Sequence, residues 1–179
     1  MEPSDLVLAI LDSAKEPVRG RTAIQKMAYF VSVQDPGVRA ELDFVPHFYG
    51  PYSSRVASAL QDLVQLGAID EIPSMTEGGN PVYTYSITAD GKHLAQSIKE
   101  NLPSLQTVSQ VVSKCQAAHK NVNILSWAAK THFLLSLQNR PVTIRQATEI
   151  GKDYGWEMSS EEARVGIGLL KELGLVVQQ

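Results

Sequence analysis

The sequence has almost no cysteine, no long apolar run and no strong excess of either charge. Cys115 is the single cysteine among 179 residues, which excludes an internal disulfide framework and predicts a small buried side chain. No apolar run approaches the roughly 20 residues that a membrane-spanning helix needs, and the N-terminus lacks the positive segment of a signal peptide. We therefore expect a cytoplasmic protein that has no membrane association.

Positive charge is particularly scarce in the first half of the chain. Residues 1–100 carry 13 Asp and Glu against 8 Lys and Arg, a net charge of −5, whereas residues 101–179 carry 6 against 8, a net charge of +2. The sum agrees with the formal net charge of −3, and the apolar content of 44% is ordinary for a globular protein. These values exclude a disordered tail and a strongly basic nucleic-acid binder.

The residue patterns that mark enzymes and metal sites are also missing. There is no Gly-x-Ser-x-Gly elbow, no His-Glu-x-x-His helix and no Gly-x-x-x-x-Gly-Lys phosphate loop. None of the four histidines pairs with another at metal-ligand spacing. Gly166-Ile167-Gly168 lacks the third glycine and the preceding strand of a dinucleotide site, which favours close helix packing. We expect no catalytic activity, no cofactor and no metal.

What the sequence does contain, between residues 60 and 94, is the order of elements found in the second half of a winged helix. An amphipathic helix ends at Leu66-Gly67, where glycine supplies a left-handed C-cap. Strands at 68–72 and 82–87 flank the turn signal Gly78-Gly79-Asn80. This order predicts a β-hairpin that serves as the wing.

The segment after the hairpin supports the same prediction. YSITADG, residues 85–91, resembles the Y-x-[LI]-T-x-x-G exit from the wing of many bacterial winged-helix regulators. Thr88 is placed to cap the helix that follows. Ser4 is expected to cap the first helix in the same way, and a helix is also expected at 22–33.

The predicted fold class is mostly α (α+β). We expect a winged helix-turn-helix domain at residues 1–100 and a helical extension at 101–179. The extension ends in helices at 143–154 and 159–173, and a shift of 107 residues aligns Leu66-Gly67 with Leu173-Gly174. A second, duplicated helix-turn-helix explains that repeat, but so does any glycine-capped helix before a strand.

A helix expected at 104–119 carries an apolar seam. Leu105, Val108, Val112 and Cys115 have heptad-like spacing, which suits a dimer contact. The seam covers less than two heptads, so packing within the monomer is favoured over a dimer through helix 104–119.

The second helix supplies candidate binding residues. Ile24, Met27 and Val31 repeat at helical spacing and predict a core face, which leaves Lys26 and Tyr29 pointing outward. Arg19, Arg21 and Lys26 form a small basic cluster at the helix start, which could share one surface with Arg55. The alternative is that these cations interact with helix dipoles or pair with Asp12 and Glu16.

The segment before the third helix is aromatic and extended. His47 lies among Phe44, Phe48, Tyr49 and Tyr52, and Pro46 restricts this stretch to an edge strand or a structured loop. The third helix, expected at 52–66, turns short polar side chains outward, Ser54 and Ser58 among them, with Arg55 on the flank.

Two of these segments carry a family resemblance. GRTAIQKMAYF, residues 20–30, is similar to the G-[RK]-[TK]-x-[LI]-Q-K-[LM]-x-Y-[FL] segment of YwgA-like prokaryotic proteins, and HFYGPYS, residues 47–53, looks like their F-Y-G-P-[YF]-S motif. More distantly, this pairing resembles Panacea (SocA-like) antitoxin domains. The resemblance implies a winged-helix fold over residues 4–95, and the Panacea likeness implies neutralising a toxin by direct protein contact.

The leading functional hypothesis is a non-enzymatic regulatory module that binds a protein partner, which for an antitoxin would be a toxin. Aromatic and Arg side chains are frequent anchors of such contacts, and the wing tip carries no Lys or Arg. The alternative is a sequence-specific DNA-binding transcriptional regulator. The candidate residues for either partner are Arg19, Arg21, Lys26, Tyr29, His47, Tyr49, Tyr52, Ser54, Arg55 and Ser58.

Overall fold

The computed structural model describes residues 1–39, 41–76, 78–99, 105–118, 121–138 and 141–176. Within these ranges the protein is mostly helical and has a small antiparallel sheet. The helices are α1 (Pro3–Ser13), α2 (Arg21–Gln34), α3 (Pro36–Arg39), α4 (Ser54–Gln65), α5 (Ala89–Lys99), α6 (Leu105–Ala118), α7 (Val122–Ser136), α8 (Ile144–Lys152) and α9 (Ser160–Glu172). The strands are β1 (Val18–Arg19), β2 (Ile69–Met75) and β3 (Pro81–Ile87).

The three strands form one sheet in the order β1-β3-β2. The hairpin predicted from the sequence is confirmed, with Ile69 opposite Ile87 at its base. Strand β2 extends further than expected and includes Pro73, which is tolerated because β2 is an edge strand. Strand β1 was not predicted; its two residues are too few to show a periodic pattern, and Val18 pairs with Tyr85 on the far side of β3.

Two predicted helix caps, at Thr88 and Gly67, are confirmed by the structure. A further cap was not predicted: the Ser53 side chain accepts a hydrogen bond from the Val56 amide at the start of α4. The Thr88 hydroxyl accepts one from the Gly91 amide (3.0 Å), as its place after the hairpin indicated. Gly67 ends α4 with a φ of 72°, in the left-handed region.

The prediction that Ser4 caps the first helix is wrong. Helix α1 begins at Pro3, and the N-cap position belongs to Glu2, whose side chain makes no capping hydrogen bond. Proline suits the first helical position because its fixed φ is already helical and its missing N–H is not needed there.

The main hydrophobic core includes side chains from both halves of the chain. Helix α6 packs on α1 and α2, and α7 packs on α2 and α9. Val108, Val112 and Cys115 of the predicted seam are fully buried in this core. The seam is therefore occupied within the chain and is not free for the dimer contact considered above, although Ser104 and His119 lie outside the described residues.

Close packing between α7 and α9 explains the Gly166-Ile167-Gly168 segment. A Cβ atom on Gly166 would lie 2.7 Å from the backbone of Trp127 and Ala128, whereas one on Gly168 would meet nothing within 4 Å. The prediction of close helix packing is confirmed for Gly166. After α9, Leu175 and Val176 form no strand, and Val177 lies outside the described residues.

Candidate binding site

The candidate site is built around the segment Val45–Tyr52, which we call the aromatic turn. Val45 and Tyr52 form an isolated antiparallel bridge. Gly50, at a φ of 100°, donates its N–H to the His47 carbonyl oxygen (2.8 Å). The turn leaves Phe48 and Tyr49 in solvent, with exposed fractions of 79% and 65%. It is the structured loop that Pro46 suggested.

Two neighbouring side chains of α2 hold this turn from inside. Gln25 Nε2 donates to the Ser53 carbonyl oxygen (2.9 Å), and the Ser53 amide donates to Gln25 Oε1 (3.0 Å). The Lys26 ammonium donates to the Pro51 carbonyl oxygen (2.7 Å). The Gln-Lys pair and the Tyr-Gly-Pro-Tyr-Ser motif thus contact each other directly, although 25 residues separate Lys26 from Pro51.

The prediction that Lys26 points outward is wrong, because only 2% of this residue is exposed. Burial, together with the nearby Lys130 ammonium, lowers the pKa of Lys26 to about 7. No carboxylate lies within ion-pair distance of Lys26 among the residues that the structure describes. Within the described ranges, the hydrogen bond of this ammonium goes to a backbone carbonyl, which carries no charge.

The prediction that Tyr29 is an outward candidate is also wrong. Tyr29 is 5% exposed; its hydroxyl lies 2.9 Å from His132 Nδ1, and its ring meets that of Phe44 edge-on. Burial, and secondarily the charge of Arg39, lowers the pKa of His132 to about 4, so the imidazole is neutral at physiological pH. Tyr29 is a packing residue that joins α2 to α7.

Both errors have one physical cause. Residues 23–32 of α2 are all buried, so this helix has no solvent-facing arc over that stretch. Helices α6 and α7, from the second half of the chain, cover the face that the apolar repeat left open. Nothing in the sequence of α2 indicates this cover, since an amphipathic pattern ordinarily marks a surface helix.

Arg21 lies at the edge of the site but its charge is already paired. Its guanidinium donates from Nε to the Tyr85 hydroxyl (2.7 Å) and from Nη2 to Glu71 Oε1 (2.9 Å). The Tyr85 hydroxyl donates to the same Glu71 oxygen (2.6 Å). This bond, and after it the single hydrogen bond and the charge of Arg21, hold the pKa of Glu71 below its ordinary value. Arg21 also lies over the ring of Tyr83.

The remaining cations do not join Arg21 in one basic surface. The Arg55 guanidinium makes exposed ion pairs with Asp43 (3.3 Å) and Glu41 (3.5 Å). Arg19 donates to the Met75 carbonyl oxygen. The alternative pairing of the basic cluster with Asp12 and Glu16 is not found either: Asp12 forms its ion pair with Lys99.

A cavity of about 610 Å³ lies between α2, the aromatic turn, α4 and β2. Of the ten predicted site residues it brings together Arg21, Lys26, His47, Tyr49 and Tyr52. Ser54 and Ser58 are exposed on α4 but do not line the cavity, and neither do Arg19, Tyr29 or Arg55. Sequence reasoning did not predict four parts of the cavity wall: Thr22, Gln25, Glu71 and the cavity-facing side of α4. The only sequence signal for any of them was the Gln-Lys pair of the α2 motif, which includes Gln25.

The aromatic turn is also attached to the C-terminal half. The indole Nε1 of Trp156, which is fully buried, donates to the His47 carbonyl oxygen (2.7 Å). The His47 imidazole contacts the rings of Tyr52 and Phe48, with centroids 5.0 and 5.3 Å away. The turn is therefore held from two sides while its tip remains exposed. Because its backbone is already ordered, a binding partner would lose little free energy to the conformational entropy of the loop.

Two other kinds of site are absent from the parts of the chain that the structure describes. These residues contain no group of three or more His, Cys, Asp or Glu side chains arranged to hold a metal ion. No helix among them is long and apolar enough to cross a membrane.

Comparison with known proteins gives one informative relative. No family model matches the chain. Over 105 residues the chain is 30% identical to "Uncharacterized protein YwgA" of Bacillus subtilis (strain 168). The aligned region covers 59% of this chain and 60% of that protein. The similarity supports a relationship to YwgA-like proteins, and the chain spans about 60% of the length of that relative.

Proposed function

We propose that this chain is a non-enzymatic regulatory module with a winged-helix domain, and that it binds a protein partner through the aromatic turn. The fold assignment is supported by the order α1, β1, α2, α4, β2 and β3 and by a sheet in which the first strand pairs with the third. In such a domain α4 corresponds to the third helix and the β2–β3 hairpin to the wing. A second helix-turn-helix at α8 and α9 stays a prediction.

The exposed tip of the aromatic turn is the observation that carries the proposal. Phe48 and Tyr49 project from a backbone that is fixed by buried bonds to Gln25 and Lys26 and by a part-buried bond to Trp156. Large aromatic side chains on a fixed backbone contribute much contact area at little cost in conformational entropy, which is typical of the residues that dominate protein interfaces.

The charges around the turn also favour a polypeptide over a duplex. Arg21 and Arg55, two exposed cations among the candidate residues, both pair with carboxylates of this chain. A paired arginine releases few counterions from DNA, because its charge must be taken from an existing partner. An antitoxin-like role, in which the partner is a toxin, fits this chemistry.

Co-purification of the full chain with the proteins encoded beside its gene tests the proposal. We expect a complex whose affinity falls about tenfold or more in the Phe48→Ser, Tyr49→Ser double variant, since both aromatic groups would be lost from the contact. The control is Leu94→Ser, which removes an exposed apolar side chain from α5. A complex that survives the double variant, or that is equally weakened by the control, would contradict the proposal.

DNA binding is the second candidate, and one observation favours it. Helix α4 exposes Ser54, Ser58, Gln61 and Gln65, polar side chains of the kind that can contact base edges. A titration of fluorescent DNA at rising salt separates the two functions. A specific regulator would lose affinity with a slope of about −0.9 per phosphate contacted and would prefer its site over random DNA by roughly 10³ or more. The proposed protein-binding module gives no such preference.

A further inference from the structure

The cavity beside the aromatic turn is lined by a buried lysine that no acidic group of the described residues balances. Lys26 lines it, is 2% exposed and makes its hydrogen bond to the Pro51 carbonyl oxygen. The other two ionic side chains of the wall, Arg21 and Glu71, are paired with each other. An ammonium has three donors, and a buried charge without a counter-ion costs free energy that a bound anion can recover.

We propose that this cavity binds a small organic monoanion, a carboxylate with an apolar or aromatic body, whose carboxylate pairs with Lys26. The volume of about 610 Å³ falls within the range of roughly 300–1,000 Å³ that is typical of small-molecule sites. The inference does not require a protein partner: Phe48 of the proposed protein contact does not line the cavity, and Tyr49 is the residue that both sites share.

The charge count selects a carboxylate over a phosphate dianion. Lys130, the nearest second cation, lies over the ring of Trp156 at 5.7 Å and is not part of the cavity wall. The guanidinium of Arg21 is held by Glu71 and Tyr85. In the described lining, one ammonium without an ion pair matches one negative charge, whereas a second negative charge would be buried without a cation of this lining.

The remaining wall fits the body of such a ligand. Ile24, Val56, Leu60 and Val64 provide an apolar surface along α2 and α4. Tyr49 and Tyr52 line the side formed by the aromatic turn, and Gln61 and Gln65 offer amides from α4. Apolar and polar groups share the wall about equally, so the site offers contacts both for an apolar body and for a charged group.

Protonation gives the site a distinctive pH dependence. The ionisable groups around Lys26 come from four elements: Arg21 on its own helix, Lys130 on α7, Glu71 on β2, and His47, Tyr49 and Tyr52 in the turn. Glu162 is not in this set, but its negative charge favours the charged form of Lys130. Without a ligand the pKa of Lys26 is about 7, so above neutral pH the amine is largely uncharged. A bound carboxylate favours the ammonium, so binding takes up a proton and weakens as pH rises.

Calorimetric titration of the full chain with naphthoate tests the inference, with naphthamide as the uncharged analogue. We expect naphthoate to bind about tenfold or more tightly than naphthamide, which corresponds to one charge-assisted hydrogen bond. Lys26→Met should abolish this difference, whereas Lys92→Met, an exposed lysine on α5, should keep it. At about pH 8 the heat should vary with the ionisation enthalpy of the buffer in the wild type and not in Lys26→Met.

A second variant guards against misfolding of Lys26→Met. Ala57→Trp fills the α4 wall of the cavity, leaves Lys26 in place and should also prevent binding while circular dichroism remains that of the wild type. Three results would overturn the inference: no naphthoate binding at millimolar concentration, equal affinity for the amide, or unchanged affinity in a folded Lys26→Met protein.

Discussion

Gln25 shows how a single side chain can fix the functional surface. Its amide nitrogen donates to the Ser53 carbonyl oxygen, and its amide oxygen accepts from the Ser53 N–H. All these groups are buried. An outward-facing glutamine at this position would leave the two backbone groups at the start of α4 without partners. The side chain therefore links the stability of α2 to the geometry of the aromatic turn.

Replacing this side chain should be costly. We expect Gln25→Ala to lower the free energy of unfolding by about 2 kcal/mol or more, since each buried backbone group left without a partner costs about 1–3 kcal/mol. Urea denaturation measures the change. Gln65→Ala, on the exposed side of α4, is the control and should stay within about 0.5 kcal/mol of the wild type. Equal effects of the two substitutions would refute the role given to Gln25.

His132 should make the protein less stable in mild acid. Its pKa is about 4 in the folded protein and about 6.5 in an unfolded chain. Because the unfolded state binds the proton first, stability is complete above the unfolded pKa and is lost as pH falls towards 4. The expected loss is about 2 kcal/mol between about pH 7 and pH 5.

Unfolding measured at both pH values in His132→Gln checks this expectation. The variant should show a smaller loss, because its amide stays uncharged and can still bond the Tyr29 hydroxyl. His93→Gln, at an exposed position on α5, should keep the wild-type pH dependence. If His132→Gln followed the wild-type curve, another group would have to be responsible.

At the scale of elements, the contact between α7 and α9 depends on one glycine. Gly166→Ala places a methyl group against the Ala128 backbone and should lower the free energy of unfolding by about 1–3 kcal/mol. Gly168→Ala, two residues along the same helix, meets open space and should raise stability by up to about 1 kcal/mol. Thermal unfolding of the pair provides the comparison, and a neutral Gly166→Ala would show that the helices can separate without cost.

Elements whose signals are local were predictable from the sequence. The Gly67 C-cap, the Thr88 cap and the β2–β3 hairpin each depend on neighbouring residues, and the structure has all three. The outward face predicted for α2 was wrong because α6 and α7 cover it. These helices lie about a hundred residues further along the chain, so the local pattern of α2 does not indicate the cover. Tyr29, whose partner is His132, is the plainest example.

The candidate site divides in the same way. Composition and a proline indicated an aromatic loop, and Tyr49 at its tip was a predicted site residue; Phe48, the other exposed aromatic residue of the tip, was not. The cavity behind it could not be anticipated, because it forms only where α2, α4 and β2 meet. Ion pairs such as Arg55 with Asp43 also require the folded loop, so the sequence left open whether these cations form a free basic surface.

At the scale of the whole molecule, the shared core means that the first half should not fold well alone. Residues 1–100 without α6 and α7 would expose the faces of α1 and α2 that these helices cover. We expect this fragment to lack a cooperative thermal transition and to regain one when residues 101–179 are supplied as a separate chain. A fragment that unfolded cooperatively with the melting temperature of the full chain would show that the halves are independent.

The bond between Trp156 and the His47 carbonyl gives the molecule an internal optical reporter. A fully buried indole emits at shorter wavelength than a hydrated one, and this one touches the loop that carries the exposed aromatic tip. Replacing Trp127, the other indole of the chain, by Phe would isolate its signal. Fluorescence of that single-tryptophan protein would then shift to the red whenever the loop detaches from the C-terminal half, with no dye or label required.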